Sequence, residues 1–207
     1  MKPTLPARCA LVLLLGATLA GCPLPQSLPE YPTSGTITPP RIQSDNVTPV
    51  DTVIQVDAGC VVPPNPSFTL SARLVDENTY EKVEARWFVD YDPGRAASVS
   101  PVLPPQIIDG PADGVTIERP LDDFLFQPYG FDPVGGEQSY RTGGGIHVVE
   151  LVVSNNFAPE VPPPVPAHDR PWRTPLKTTT QTFETQVYRW VFHYVPTGTT
   201  GARCSYP

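Results

Sequence analysis

Residues 145–153, GIHVVELVV, and residues 182–195, TFETQVYRWVFHYV, carry the clearest pattern in this chain. Side chains of a strand alternate between two faces, so the first stretch puts Val149, Leu151 and Val153 on one face. The second puts Tyr188, Trp190, Phe192 and Tyr194 on one face and Val187, Val191 and Val195 on the other. Both read as strands, and the second is the longest run of the kind. Upstream, 83–91, VEARWFVDY, alternates with Ala85, Trp87, Val89 and Tyr91 inward. In 67–76, SFTLSARLVD, the residues Phe68, Leu70, Ala72 and Leu74 share a face opposite Thr69, Ser71 and Arg73. The turn-rich DENTYEK between these two runs predicts an antiparallel pair with one apolar side.

The remaining segments are shorter. A first strand is expected over 52–56, TVIQV, and 60–62. Between 92 and 145 the PGR, PVLPP, DGPADG and glycine clusters leave room only for edge strands near 114–119 and 123–127, with Phe124 and Phe126 as core residues. Residues 155–180 form a Pro-rich loop. The 29 prolines of the chain each remove a backbone donor and fix φ, which nearly excludes helix after the N-terminal segment. The expected class is all-β, an antiparallel two-sheet sandwich over 51–207, about 150 residues and one domain's worth of core. Residues 22–50 hold few large apolar side chains and repeated prolines, and read as a semi-extended tether with a reach of at most ~90 Å.

A strand with an inward Trp87, then DFLFQ, then a glycine turn into IHVVELVVSN resembles the C, E and F strands of bacterial immunoglobulin-like domains of the PKD type. Gly145, His147, Val149, Leu151 and Val153 match the Gly-x-His/Tyr-x-Val-x-Leu-x-Val pattern of that family. The connections between the C- and E-like strands and between the F- and G-like strands are longer than the family's. The resemblance implies an immunoglobulin-like sandwich; such folds host many unrelated functions.

At the N-terminus, Lys2 and Arg8 precede an apolar run, ALVLLL over 10–15, and Leu19-Ala20-Gly21-Cys22 closes it. This order resembles the signal peptide and lipobox of bacterial lipoproteins, and the run is too short to span a bilayer. The resemblance implies removal of residues 1–21, palmitate-type acylation at Cys22, and a membrane partner reached through the lipid. Pro23 stands where an inner-membrane retention aspartate would be, which points to an outer-membrane lipoprotein of the cell envelope. The competing reading is an ordinary cleaved signal ending at Ala20, with Cys22 a thiol or a disulfide partner.

With Cys9 in the signal and Cys22 lipidated, Cys60 and Cys204 remain as a pair, and an exported chain favours a disulfide bond between them over two buried thiols. A zinc site would need close His or acidic partners, which neither cysteine has. Loss of Lys2 and Arg8 takes the chain from 14 basic against 21 acidic residues, −7, to 12 against 21, −9. An acidic body without a basic cluster argues against nucleic acid as a partner.

No catalytic constellation stands out, and the expectation is no enzyme, no catalytic residue, no metal and no cofactor besides the lipid. His147, His168 and His193 lack ligand spacing; His147 reads as a partly covered strand residue and His193 as exposed beside Arg189. The serines lack a nucleophile elbow, and Gly143–Gly145 lead into a strand where a phosphate site needs a helix. Asp90, Asp92, Asp109, Asp113, Asp122, Asp123 and Asp132 could gather calcium at loop ends, but without a ligand loop they read better as solvated turn residues. The two-sided last strand admits burial beneath the 155–180 loop, or an exposed aromatic platform for a partner built on Tyr188 and Trp190, with Trp172 presented from the loop. Burial is the favoured reading. The function expected is a lipid-anchored, non-enzymatic envelope protein in a structural, adhesive or accessory-subunit role. The alternative is a glycan-binding surface module using the aromatic face.

Overall fold

A computed structural model describes residues 35–60, 67–94, 99–128, 145–159 and 172–206. Residues 1–34, with Cys22 and the lipobox, lie outside the described residues, as do Asp132 and His168. Every named element among the described residues is a strand: β1 Gly35–Thr36, β2 Arg41–Thr48, β3 Val53–Asp57, β4 Ser67–Val75, β5 Val83–Val89, β6 Gln106–Ile108, β7 Glu118–Arg119, β8 Phe124–Phe126, β9 Ile146–Ser154, β10 Gln181–Thr182, β11 Gln186–Val195 and β12 Ser205–Tyr206.

They form two main sheets. One has the order β3-β11-β9-β5-β6, antiparallel except where β11 runs parallel to β3. The other is built around β4, which pairs antiparallel with β2, β7 and β8 and parallel with β12. A small ladder joins β1 to β10.

The inner faces of both sheets supply one core. Phe68, Leu70, Ala72 and Leu74 of β4 are buried in it with Phe124 and Phe126 of β8. From the other sheet come Ala85, Trp87 and Val89, then Val149, Leu151 and Val153, and finally Trp190, Phe192 and Tyr194. The alternation read along these strands therefore picks out the core-facing residues, although β5 and most of β9 are buried on both faces. Rings interlock across the layers, with Phe192 4.9 Å from Phe68 and 4.5 Å from Phe126 and Trp87 5.1 Å from Phe124, and within one sheet Trp87 lies 5.7 Å from Trp190. Cys60, in the turn after β3, is disulfide-bonded to Cys204 just before β12, with Cα atoms 5.5 Å apart. The bond ties the C-terminal segment to both sheets, since Arg203 pairs with Val56 on one and Ser67 N–H donates to the Cys204 carbonyl on the other.

Several expectations are corrected. The strands on either side of DENTYEK, β4 and β5, do not pair with each other but lie in opposite sheets. Residues 35–50 belong to the folded domain and not to the tether 22–50, because β2 pairs with β4 and buries Ile42 and Val47. A register shift between those two residues breaks the even spacing that betrays a strand, so RIQSDNVT passes for a polar linker. Tyr91 does not face inward. Asp90 has φ 50°, ending the alternation, and the Tyr91 ring packs at 5.4 Å on Phe88, on the outer face. The strand expected at 114–119 shrinks to Glu118–Arg119, Cys60 lies in a turn, and residues 61–62 are outside the described residues.

Removing the ring that touches both Phe68 and Phe126 leaves a cavity between the layers, so Phe192→Ala should cost about 3–5 kcal/mol in urea-unfolding free energy. Leu125, 56% exposed on β8, should lose only about 0.5 kcal/mol on truncation to alanine in the same measurement.

Candidate functional site

The residues expected to meet a partner are used inside the domain. Trp190 is fully buried, and its indole N–H donates to the Pro49 carbonyl at 2.9 Å. Tyr188 is half-buried with its ring 4.5 Å from Trp190, and desolvation raises its phenol pKa. The aromatic face of the last strand is thus no platform. Burial was the favoured reading, but the cover is the facing sheet and not the 155–180 loop, because the face belongs to the inner side of the sandwich.

The described ends of that loop, up to Pro159 and from Trp172, cover the opposite side of the same sheet. Phe157 pairs with Pro175, Ala158 N–H donates to the Thr174 carbonyl and Leu176 N–H to the Asn156 carbonyl, forming a short arm. Phe157 and Trp172 pack there with Phe88, Val152, Tyr91 and Val187. Trp172 is a packing residue of this second cluster.

Arginines rivet the arm down. Arg86, 4% exposed, donates to the Trp172 carbonyl at 2.6 Å, lies 4.2 Å above the Phe157 ring and pairs with Glu84 at 2.7 Å. Arg173 stacks 4.2 Å over Tyr91 and reaches Glu150 at 2.6 Å, and Arg189 reaches the other Glu150 oxygen at 2.5 Å. A buried carboxylate is tolerated when cations and hydrogen bonds surround it, and Glu150 has both. Alternation alone places Glu84, Arg86 and Glu150 on a solvent face. The available signal is apolar: Phe88 and Val152 occupy that same face, as in a sheet covered on both sides.

His147 is fully buried, not partly covered. Its Nδ1 lies 2.5 Å from Asp90 Oδ2, while Val148 N–H donates to Asp90 Oδ1 at 2.8 Å and Asp90 N–H donates to the Val148 carbonyl at 2.8 Å. The ring meets Phe126 and Tyr194 edge-on. Geometrically this is a carboxylate-oriented imidazole, but an imidazole sealed from solvent meets no substrate. It clasps the end of β5 to the start of β9. His193 is half-buried on the outer side.

Several aspartates serve turns. Asp92 accepts from Gly94 N–H, and Asp57 accepts from Gly59 and Gly198 N–H, which lowers its pKa. Asp113 accepts from the Thr116 hydroxyl and from the amides of Thr116 and Val115, which together hold its pKa at about 2. Among the described residues, no three His, Cys, Asp or Glu side chains are gathered to hold a metal ion.

A groove of about 490 Å³ opens over β4. Leu74 pairs with Ile42 on one side and Arg119 on the other, so β2 and β7 flank opposite edges. On the β7/β8 edge, Ser71–Arg73 have no ladder partner, because the chain between Arg119 and Phe124 begins with Pro120 and swings away. On the other edge lies the register shift of β2. Sequence reading missed the groove because it arises from two interruptions far apart in the chain.

No family model, no curated protein and no solved structure matches this chain.

Replacing Glu150 by alanine leaves Arg173 and Arg189 without their shared acceptor and should cost about 2–3 kcal/mol in urea unfolding, with faster tryptic cleavage at Arg173 in the native state. For Asp113, a lowered folded-state pKa means that its contribution is complete above the ordinary value of 3.8 and disappears as pH falls through about 2. Carboxyl carbon shifts should report that midpoint, and Thr116→Val should move it upward.

Proposed function

We propose that the chain is an exported lipoprotein of the cell envelope, anchored in the outer membrane through acylated Cys22. It carries an immunoglobulin-like domain in a structural, adhesive or accessory-subunit role, without catalysis. The observation that carries the reading is the cysteine usage. Cys60 and Cys204 bond to each other, which leaves Cys22, behind Leu19-Ala20-Gly21, for lipid. A disulfide across the domain suits an oxidising compartment outside the cytoplasm.

The immunoglobulin-like assignment is supported by the strand plan. An early strand, β3, runs parallel to the last long strand, β11; β9 and β5 follow in order, and β4 with β8 face them. In this reading the IHVVELVV segment is the F-like strand and the Trp87 strand the C-like one, and their adjacency in one sheet supports it. The non-catalytic role is supported by where the reactive groups go: His147 is sealed into the core and the arginine–glutamate network closes the arm. The partner expected is another envelope protein.

Metabolic labelling with tritiated palmitate should mark the wild-type chain, which should partition with membranes, while Cys22→Ala should take no label and appear in the soluble fraction. Membrane retention of the unlabelled variant would overturn the anchor.

A further inference from the structure

We propose that the groove over Ser71–Arg73 binds a saccharide of one or two rings. This goes beyond the envelope reading and does not depend on the lipid anchor. The volume, about 490 Å³, lies in the range of small-molecule sites. Most of its lining is polar, with an apolar part at the floor from Val47, Ala72 and Leu121. Its rim is polar, with the carboxylates of Asp45 and Asp123, the Ser71 hydroxyl and the Arg73 guanidinium, all on exposed or half-buried residues. A sugar ring has the matching division, a face of C–H groups and an equator of hydroxyls that donate to carboxylates and accept from a guanidinium.

Charge separates this ligand from others of its size. The lining holds two carboxylates against two guanidiniums, but both cations are already engaged: Arg119 is buried against Asp76 and donates to the Thr116 and Asn78 carbonyls, and Arg73 lies 3.7 Å from Glu118, so an anion is disfavoured. A metal ion lacks the needed ligand set among the described residues. A neutral polyol uses both signs at once. The unladdered stretch of β4 adds backbone polar groups along one wall, where a regular sheet would present none.

The test is a titration of the full chain in detergent, read by backbone amide shifts, with N-acetylglucosamine, galactose and maltose as probes and choline and sulfate as charge controls. Saturable shifts confined to Val47, Ser71–Arg73 and Leu121–Asp123 are expected with at least one sugar. Asp45→Ala and Asp123→Ala should each weaken that response about tenfold, the size of one charged hydrogen bond, while leaving the rest of the spectrum unchanged. Both aspartates are exposed, so the variants keep the fold. No saturable shift with any sugar, shifts elsewhere, a response to choline or sulfate alone, or full binding by both variants would each overturn the site.

Discussion

The contact between the two sheets at Trp87, Trp190 and Phe192 is what the rest of the domain depends on. These rings are fully buried, and each touches an aromatic neighbour at a distance where stacked or tilted pairs attract. Burying such side chains is the largest favourable contribution this small body can make, since hydrophobic stabilisation follows apolar area. It also specifies register. Sliding β11 by one residue would turn Trp190 and Phe192 to the outer side and bring Arg189 and His193 into the core.

The same sheet is buried on its other face, by different means. There the cover is a short proline-rich arm, and the contacts are guanidinium on ring and guanidinium on carboxylate. Arginine suits the task because its planar group can stack on an aromatic face and still donate in the plane. The inner face is held by area and the outer face by directed contacts. This explains how Glu84, Arg86 and Glu150 can be buried, while Asp57, Asp92 and Asp113 serve exposed turns.

The irregular surface of the domain lies at its ladder edges. With the aromatic face of the last strand inside and His147 enclosed, the irregular places on the surface are where ladders fail, above all at the Pro120 break opposite the β2 bulge. The proposed export and lipid-attachment signal at the N-terminus and the groove on the folded body are separate features of one chain. Each can be lost without the other.

The inner faces of β4, β5, β9 and β11 were legible in the sequence because alternation is a local property: Phe68 to Leu74 and Val149 to Val153 show their burial through spacing alone. The pairing of Cys60 with Cys204 was legible once Cys9 and Cys22 were read as parts of an N-terminal signal. Tertiary structure decided everything that depends on distant chain. The bulge that hides β2 has meaning only beside β4, and the positive φ of Asp90 that turns Tyr91 outward is set by its bonds to His147 and Val148. The burial of Arg86 and Glu150 depends on Trp172 and Arg173. A strand's own sequence records which side is apolar; what lies against the other side is recorded elsewhere in the chain.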